Sequence, residues 1–378
     1  MVTPLDRNIL SAEIEEWLPP RIYDVHAHFH RNEDFGSDNA YRKTGKPLPQ
    51  LFATMPFKDG RLGWRQYISS VGRLLHAGRE TSALCFAFPF ADLDVDAANQ
   101  WVAQQVAKDP TGRSRAQMIV TPATTRADIS AAVREQGVVG LKCYHVFAEP
   151  DAKGCTFNSP VEAFLPEHLV AAADAHGLTI TLHLVRATAL SDPANSATVR
   201  RYCSRYRNMK LILAHVARGF NMHHTIVALH SLRGLDNVYF DTGVVTESGA
   251  MEAVLRDPHF GPRRLLYGSD FPASHIRGRC VGVGDSFLWI SPGNCDLSAS
   301  YAHGGEIQTA LVGVEALRAL KLACDNAGVG REGVELIMCG NAERLYGLAP
   351  GARDSARRRR RICSVCATLG LLSLVFVR

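Results

Sequence analysis

Two histidines that suit metal binding stand two positions apart near the start of this sequence. The segment reads Asp24-Val25-His26-Ala27-His28 and continues a short apolar run. In an extended strand, side chains two positions apart point to the same face, so His26 and His28 can reach one metal ion from a single stretch of backbone. A His-x-His pair also occurs by chance, and this pair alone would not establish a site.

Three more residues with metal-binding chemistry end or closely follow separate apolar runs. They are His183 after Leu178–Leu182, His215 after Leu211–Ala214, and Asp270 after Leu265–Gly268. Imidazoles together with a carboxylate suit zinc, or another divalent first-row metal, better than calcium or magnesium. Any one of the five could be an ordinary core or surface residue. Their common position at the ends of apolar runs favours one shared site.

The apolar runs that position these residues recur eight times along the chain. They are continuous rather than alternating, which is typical of parallel strands covered on both faces. The predicted strands are Arg21–His26, Ser82–Ala87, Gln117–Thr121, Val138–Cys143, Thr179–His183, Leu211–His215, Val238–Asp241 and Leu265–Gly268. Helix-like segments lie between them, among them Val95–Lys108, Arg126–Gln136, Glu162–His176, Ala197–Arg207 and Ala250–Arg256, with Gly137, Gly177 and Gly234 placed as helix C-caps. This alternation predicts an α/β fold, a (β/α)₈ TIM barrel whose site lies at the C-terminal strand ends.

Two segments are too long to be ordinary connections between a strand and a helix. They are Phe29–Gly63 and Phe271–Gly304. Long loops on a barrel commonly form lids or binding loops, and variable surface decoration is the alternative. After the second segment, Gly305–Asn326 is predicted as the closing helix and Arg331–Met338 as a short terminal helix. We predict a single barrel domain over residues 1–350.

Residues 351–378 differ from the rest of the chain in charge and hydropathy. The chain has a formal net charge of +5, but this segment holds seven arginines and a single acid, so the remainder is nearly neutral. A nearly neutral body argues against nucleic-acid binding. The run Arg357–Arg361 precedes Ile362–Val377, which is shorter than the roughly 20 apolar residues of a membrane-spanning helix. A weak membrane anchor with a basic flank and a non-native terminus both fit this tail, which we place outside the fold.

The ten cysteines are scattered along the chain, and several, such as Cys85 and Cys143, sit inside apolar runs. The first twenty residues lack the pattern of an export signal. We therefore interpret the cysteines as reduced thiols of a cytoplasmic protein. Only Cys363 and Cys366 have Cys-x-x-Cys spacing, and without a second pair nearby they are weak support for a zinc site.

The chain resembles the amidohydrolase superfamily through motifs that occur in the expected order over residues 20–348. They are His26-Ala27-His28, Gly140-Leu141-Lys142, His183, Leu213-Ala214-His215, Tyr267-Gly268-Ser269-Asp270-Phe271-Pro272 and Gly340-Asn341-Ala342-Glu343-Arg344-Leu345-Tyr346-Gly347. Within that superfamily it is most similar to the amidohydrolase-related branch, which includes aminocarboxymuconate-semialdehyde decarboxylase and several acyl and lactone hydrolases. The resemblance is specific for the fold and the metal, and not for the substrate.

The resemblance implies that His26, His28, His183 and Asp270 are the metal ligands. His215 would be either a further ligand or a general acid/base beside the metal. Asp270 would also accept a proton from a water activated by the metal, since the pKa of water falls from about 15.7 to roughly 7 in favourable zinc sites. The resulting hydroxide would attack a polarised carbonyl group.

Lys142 has three interpretations. In binuclear relatives a lysine on this strand is carboxylated and bridges two metals, whereas in mononuclear relatives it stays a cation near the substrate. Its aliphatic stem could also simply pack in the barrel mouth. We favour the unmodified cation, and therefore one zinc ion per chain, with two ions expected only if Lys142 is carboxylated.

Further candidates for substrate binding lie near the predicted mouth. His145, three residues after Lys142, could contact the substrate or stack in its loop. Arg186 and Arg218 each lie three residues beyond a candidate histidine, where a guanidinium fork could hold a carboxylate. Arg277 and Arg279 belong to the same region. An ordinary surface arginine is the alternative for each of them.

These observations predict a metal-dependent hydrolase of a small carboxylated substrate, with Asp270 and His215 as catalytic residues. A lyase on the same site, a decarboxylase or hydratase with proton transfer by His215, is the alternative. A non-catalytic metal-binding barrel is the third hypothesis, and the intact set of candidate ligands weighs against it. The expected partner is a small-molecule substrate, without nucleic acid or a membrane span, and a homodimer is compatible with the sequence.

Overall fold

Eight parallel strands form the central sheet of the protein. The computed structural model describes residues 2–36, 60–293, 295–297 and 307–348. The strands are β1 (Arg21–Arg31), β2 (Arg61–Leu62), β3 (Glu80–Ala87), β4 (Arg115–Ile119), β5 (Gly140–Cys143), β6 (Thr179–Leu182), β7 (Lys210–Leu213), β8 (Val238–Asp241), β9 (Leu265–Leu266), β10 (Arg279–Val283) and β11 (Ser286–Ile290). The sheet order is β2-β1-β3-β4-β5-β6-β7-β8-β9, in which only β2 runs antiparallel to its neighbour.

Contacts between β1 and the segment after β9 close this sheet. The Val25 N–H donates to the Tyr267 carbonyl at 2.9 Å, and the His28 N–H donates to the Phe271 carbonyl at 2.7 Å. Ala27 also forms a parallel bridge with Phe271. Closure removes the two edges that an open parallel sheet would expose. The predicted (β/α)₈ barrel is confirmed.

The first strand is longer than the sequence predicts. It runs to Arg31, so His26 and His28 lie inside the strand rather than at its end. The pairing of β1 with β3 shifts register between Asp24 and Ala27, beside the first of these histidines. A bulge of this kind redirects a side chain and is frequent next to active sites.

The strands that precede the other candidates are shorter than predicted. β6 ends just before His183, and β7 ends two residues before His215. β9 comprises only Leu265–Leu266, four residues before Asp270. In each case the chain leaves the hydrogen-bonded ladder before the polar side chain, which therefore lies at the C-terminal mouth of the barrel.

Helices alternate with the strands as expected for this fold. The α-helical segments are Pro4–Ile9, Trp64–Tyr67, Val95–Val106, Arg126–Gln136, Glu167–His176, Pro193–Arg205, Met222–Ala228, Gly249–Arg256, Val312–Asn326, Arg331–Glu335 and Asn341–Leu345. Gly137 and Gly177 end two of them with φ of +66° and +65°, which confirms both as C-caps. Gly234 instead follows the 3₁₀ turn Leu229–Leu232, so its predicted role as an α-helix cap is wrong.

Several predicted helices have other bounds in the structure; the helix predicted as Ala197–Arg207, for example, spans Pro193–Arg205. The helix predicted from Glu162 starts at Glu167, because Pro166 disfavours helical backbone at the residue before it. The closing helix starts at Val312 instead of Gly305, a residue outside the described ranges. The terminal helix stops at Glu335 and continues as a π-helical turn.

The long segment after β9 contains a hairpin that the sequence analysis treated as loop. β10 and β11 pair in antiparallel register, and Gly284 occupies the first position of their two-residue turn with φ of +55°. Glycine at that position suits the right-handed twist of a hairpin. The remainder of this segment at 294 and 298–306 lies outside the described residues, as do residues 37–59 of the segment Phe29–Gly63.

Residues up to Ala342 form one compact unit, and a second begins at Glu343. The predicted tail, including Cys363 and Cys366, lies outside the described residues, so the domain boundary at residue 350 stays a prediction. Within the described ranges, no helix combines the length and the apolar character needed to cross a membrane. No disulfide joins the eight cysteines in those ranges.

Candidate active site

Three side chains of the predicted metal-binding set converge inside the barrel. Asp270 Oδ1 lies 3.3 Å from His26 Nε2 and 3.2 Å from His28 Nε2. All three residues are buried, with exposed fractions of 9%, 1% and 5%. The fold thus joins the first strand of the barrel to the loop after its last strand around one small volume.

Hydrogen bonds determine which nitrogen of each imidazole faces this volume. His26 Nδ1 lies 2.9 Å from Asp241 Oδ2, and His28 Nδ1 lies 3.0 Å from the Ala87 carbonyl oxygen. Because both oxygens can only accept, each Nδ1 carries a proton, and each Nε2 is the nitrogen left to face Asp270. With both rings neutral, two nitrogen lone pairs would repel the carboxylate oxygen unless a cation lay among them.

A divalent metal ion fits this arrangement better than a proton does. Tetrahedral zinc ligands, each about 2.0–2.1 Å from the ion, stand about 3.3 Å from one another, which agrees with the two spacings to Asp270 Oδ1. Burial lowers the pKa of His28, against the attraction of Asp270, so this imidazole resists protonation. Burial alone would raise the pKa of Asp270, but the neighbouring histidines hold it well below its ordinary value. Neutral imidazoles and an ionised carboxylate are the forms that bind metal.

His215 and His183 form a pair beside these ligands. His215 Nδ1 donates to the Gly243 carbonyl at 2.8 Å, and His215 Nε2 lies 3.1 Å from His183 Nδ1. His215 Nε2 therefore accepts from His183 Nδ1, which leaves His183 Nε2 with a lone pair. Burial lowers the pKa of His215 to about 4 and that of His183 well below its ordinary value, so both rings are neutral near pH 7.

Potential ligands in the described ranges fall into two groups whose ligand atoms lie within 4.8 Å of one another. One is His26, His28 and Asp270, and the other is His26, His215 and Asp241. His183 joins neither group and reaches the site through its contact with His215. The structure therefore brings four of the five predicted residues into these groups and places the fifth next to them.

Asp241 is a buried residue of the site that the sequence analysis did not include. Its Oδ2 orients His26, and its Oδ1 accepts the backbone N–H groups of His215 at 3.0 Å and Gly243 at 2.9 Å. A carboxylate behind a metal-binding histidine fixes the tautomer and raises the basicity of the ligand. Asp241 ends an apolar strand, as the other candidates do, and that signal could have identified it.

Asp24, also missed, ties β1 to the loop that holds Asp270. It accepts the His26 N–H at 2.9 Å, the Ser269 N–H at 2.8 Å and the Tyr67 O–H at 3.0 Å. Burial raises the pKa of this carboxyl group to about 6. Since Ser269 immediately precedes Asp270, these bonds fix the first and last strands of the barrel relative to each other at the site.

Backbone conformations that are rare for L-residues follow the strands that precede the site. The turn His215–Arg218 has φ between +51° and +60° at four consecutive residues, and Asp270 has φ of +51°. Left-handed backbone costs roughly 1–2 kcal/mol per residue, so surrounding contacts must hold it. Close approach adds a second constraint, because a Cβ at Gly268 would lie 2.9 Å from that of His26.

Lys142 lies inside the barrel without a hydrogen-bond partner among the described residues. Its side chain is fully buried, and Nζ lies 5.3 Å from the ring centre of Phe86 and 5.5 Å from that of Tyr144. Burial lowers the pKa of Lys142. The aromatic faces replace part of its lost hydration, and its three donors stay unused by the protein.

Arg218 is a second buried cation, with an exposed fraction of only 5%. Its guanidinium lies 4.5 Å from the ring centre of Phe157 and 5.1 Å from that of Phe287. Nη1 donates to the Arg186 carbonyl, and no carboxylate of the described residues forms an ion pair with it. Burial lowers the pKa of Arg218 to about 10, so it stays charged near pH 7.

The other two candidates for substrate binding have protein partners. Arg186 Nη1 lies 3.1 Å from Asp192 Oδ1, which turns its guanidinium toward the helix that Asp192 caps. His145 Nδ1 lies 2.8 Å from Thr156 Oγ1. The ring of His145 is nevertheless near the site, 6.5 Å from that of His183 between centres.

Arg277 and Arg279 make contacts that hold the fold. Arg277 Nη2 lies 2.7 Å from Oδ2 of the buried Asp6. Arg279 Nη2 donates to the Thr246 carbonyl at 3.1 Å. Neither guanidinium is directed at the candidate ligands by these contacts.

A family model described as Amidohydrolase matches residues 87–348, more than two thirds of the chain. This chain belongs to the amidohydrolase family. The match begins at Ala87, so the motif His26-Ala27-His28 lies outside it and supports the assignment separately. The predicted resemblance is thereby confirmed, and the amidohydrolase is an enzyme of a metal-dependent family.

Solved structures agree with this assignment at the level of the fold. An amidohydrolase from Burkholderia multivorans superposes with a TM-score of 0.53 at 14% identity, over 87% of this chain and 99% of that chain. A TIM-barrel protein from Bordetella bronchiseptica superposes with a TM-score of 0.50 at 14% identity, over the same shares. No curated protein sequence matches the chain. At this identity the superpositions establish the barrel and leave the reaction to be argued from the site.

Proposed function

We propose that this amidohydrolase hydrolyses a small carboxylated substrate with one zinc ion held by His26, His28 and Asp270. The observation that carries the proposal is the convergence of two imidazole Nε2 atoms on one buried carboxylate oxygen. His183, with a lone pair on Nε2, is the further ligand candidate. Three protein ligands and an open position are typical of catalytic rather than structural zinc.

Asp270 is the proposed general base. A bound zinc ion supplies Lewis acidity, which lowers the pKa of a water and polarises a carbonyl group. Asp270 Oδ1 faces both imidazoles, so Oδ2 is the oxygen left to take a proton from the attacking water. Protonated Asp270 would return that proton to the leaving group, with His215 the candidate for carrying it.

Lys142 and Arg218 support a negatively charged substrate. Both are buried cations, and neither forms an ion pair with a carboxylate of the described residues. A buried cation without a partner is unfavourable, and a substrate carboxylate would supply the missing charge and acceptors. We assign substrate binding to these two, with His145 beside them, and assign Arg186 the positioning of Arg218 through its carbonyl.

One contact favours a lyase as the second candidate. The 3.1 Å separation between His183 Nδ1 and His215 Nε2 lets one imidazole pass a proton to the other. A decarboxylase or hydratase needs a proton delivered to, or taken from, a carbon atom of the substrate. The same ligands and the same buried cations would serve that reaction.

That no disulfide joins the eight described cysteines favours a reducing compartment. We therefore place the enzyme in the cytoplasm. Fractionation of cells that express the native chain tests this placement, and recovery in a membrane fraction would contradict it.

Metal analysis and a substrate panel test the proposed reaction. Purified full-length enzyme should contain about one zinc ion per chain, and a chelator should abolish turnover until zinc returns. His28→Ala should lose the ion, whereas His223→Ala, at an exposed histidine, should keep it. The panel contains esters, lactones and amides, each with and without a carboxylate. Incorporation of ¹⁸O from labelled water supports hydrolysis, release of CO₂ supports the lyase, and metal-loaded enzyme inert toward every carboxylated member contradicts the proposal.

A further inference from the structure

The hairpin β10–β11 is fixed to two loops that hold residues of the site. The Asn221 side-chain amide donates to two carbonyls of the hairpin turn, both at 2.8 Å. Thr246 Oγ1 donates to the Cys280 carbonyl at 2.6 Å and accepts the Cys280 N–H at 3.0 Å. Asn221 lies in the segment after His215, and Thr246 lies in the segment after Asp241. The hairpin is therefore a fixed part of the barrel mouth.

Strand alternation gives the hairpin an inner and an outer face. Cys280 pairs directly with Trp289 and is 1% exposed, and Phe287 lies two residues from Trp289 on the same face. Val283 and Leu288 lie on the other face, with exposed fractions of 55% and 46%. Phe287 and Leu288 are therefore neighbours on one strand, with Phe287 on the inner face and Leu288 on the outer face.

Phe287 connects the hairpin to Arg218 and to His215. Its ring centre lies 5.1 Å from the Arg218 guanidinium and 5.1 Å from the ring centre of Phe220. Phe220 in turn stacks on His215, with 5.1 Å between the ring centres. The same aromatic wall therefore borders the buried cation and the proposed proton-transfer residue.

The contacts of Arg218 limit how a ligand can meet it. A guanidinium packed against aromatic rings offers a ligand its N–H groups rather than its faces. One of its five N–H groups is taken by the Arg186 carbonyl. A carboxylate can use the others in a bidentate contact, and the apolar group that bears it would then lie against the aromatic wall.

We propose that Phe287 is a specificity-determining residue, through which the hairpin selects substrates whose carboxylate is borne on an apolar group. The side chain holds the Arg218 guanidinium in place and supplies the surface that the apolar group contacts. This inference rests on the proposed function, which requires a carboxylated substrate. It predicts that removal of the ring weakens the preference for carboxylates without removing the metal.

Chemical modification of Arg218 tests, without a known substrate, whether the Phe287 ring covers the Arg218 guanidinium. Full-length, metal-loaded wild type, Phe287→Ala and Leu288→Ala are treated with phenylglyoxal, and the rate at Arg218 is read by peptide mass spectrometry. The rate should rise about tenfold in Phe287→Ala, because a buried cation–π contact and its cover are lost. Leu288→Ala, on the outer face of the same strand, should match wild type. Equal rates in all three proteins overturn the inference.

Protection of Arg218 by a carboxylate and by its amide analogue tests whether the site selects carboxylates. Benzoate should slow modification of Arg218 in wild type and benzamide should not. The benzoate concentration for half protection should rise about tenfold in Phe287→Ala and stay unchanged in Leu288→Ala. Phe287→Tyr, which keeps the ring, should restore protection. Equal protection by the two probes, or none by benzoate, overturns the inference.

Turnover separates this inference from the proposed function. For a panel member hydrolysed by wild type, the ratio of kcat/KM for the carboxylate to that for its amide analogue should fall about tenfold in Phe287→Ala. Zinc content and melting temperature should stay at wild-type values. Turnover by wild type with equal ratios in Phe287→Ala and Leu288→Ala refutes the role of Phe287 alone. Absence of turnover in wild type refutes the proposed function, and the modification rates still decide the role of Phe287.

Discussion

Two parts of the barrel mouth differ in how many of their polar atoms have hydrogen-bond partners within the protein. We call the part that contains His26, His28 and His215 the metal side, and the part that contains Lys142 and Thr181 the cation side. On the metal side, His26, His28 and His215 each give the Nδ1 proton to a fixed oxygen. On the cation side, Lys142 Nζ and Thr181 Oγ1 are buried and have no hydrogen-bond partner among the described residues. Buried polar groups are normally paired, so the second side is the one that an entering molecule would complete.

The two sides lie on neighbouring strands of the barrel. Lys142 on β5 pairs in register with Thr181 on β6. Directly beyond that strand, His183 contacts His215 on the metal side. The protein thus holds the histidine nitrogens of the proposed metal site in fixed positions and leaves donors unused near Lys142, where the proposed substrate would lie.

The largest expected effect on turnover comes from substitution of Asp270, which is both a proposed metal ligand and the proposed general base. Asp270→Asn keeps the shape and an oxygen ligand but removes the basic charge. Turnover should fall by roughly 10²–10⁴-fold, as is typical when a general base is lost, while some metal binding remains. His26→Ala should mainly remove the metal. Metal content and single-turnover rates at saturating zinc measure both variants.

Near-normal turnover by Asp270→Asn would place the base elsewhere, with His215 the next candidate. Asp257→Asn is the matched control, because this acid is buried at 6% exposure and pairs with Arg233 away from the ligands. Its effect should appear in the melting temperature and not in the rate.

Removal of the Lys142 charge should stabilise the protein but lower its turnover. Lys142→Met replaces a buried ammonium with an apolar side chain of similar length. The free energy of unfolding should rise, because the substitution removes the desolvation cost of a buried charge that has no hydrogen-bond partner among the described residues. Turnover should nevertheless fall. Urea unfolding with the assay of the panel measures both, and a destabilised variant would show that Lys142 has a structural partner.

Lys142 also decides the metal count. As an unmodified cation it requires no CO₂, so activity should not depend on added bicarbonate and about one metal should bind per chain. Two metals per chain, together with the mass of CO₂ on this side chain, would move the enzyme to the binuclear class.

A smaller effect, on zinc affinity, is expected from substitution of Asp241. Asp241→Asn keeps the size of the side chain but weakens its hold on His26 Nδ1. Loss of such a supporting carboxylate typically lowers metal affinity by about 10–100-fold. Competition with a fluorescent zinc chelator measures the affinity. An unchanged zinc affinity would mean that the imidazole is held by packing alone.

The smallest effect should follow removal of residues 351–378. The family match ends at residue 348, and the last motif of the barrel, Gly340–Gly347, also ends before this segment. A chain that ends at Pro350 should keep its metal and its melting temperature and should be more soluble. Loss of the cooperative melting transition would show that the tail packs on the barrel.

The sequence predicts the barrel well where burial is uniform and poorly where a few residues set the turn. The parallel strands appear as continuous apolar runs, and β8 has the bounds that were predicted. The hairpin was missed because its first strand, Arg279–Val283, has one buried position, lies between Gly278 and Gly284, and resembles a loop. Pro166 shortened a helix that the apolar pattern alone would extend.

Within the site, the sequence predicts side-chain types and not their partners. His26 and His28 could be found from their two-residue spacing on the first strand, and Asp270 because it follows the last predicted strand, whose end lies at the mouth of the barrel. The role of the Arg186 carbonyl depends on a left-handed backbone, φ +68°, at a residue that is not glycine. The rings around Arg218 come from Phe157 and Phe287, whose proximity arises only from tertiary packing.

The left-handed turn His215–Arg218 concentrates backbone strain at one place beside the site. At roughly 1–2 kcal/mol per residue, its four residues store an amount of free energy comparable with the whole stability of a typical domain. It is held by the bond from Thr225 Oγ1 to the Val216 carbonyl at 2.7 Å and by that from the His215 N–H to Asp241 at 3.0 Å. All four residues of the turn are buried, so the surrounding core also offsets this cost. Because one turn carries both His215 and Arg218, a substitution that relaxed it would displace the proposed proton-transfer residue and the proposed carboxylate-binding residue together.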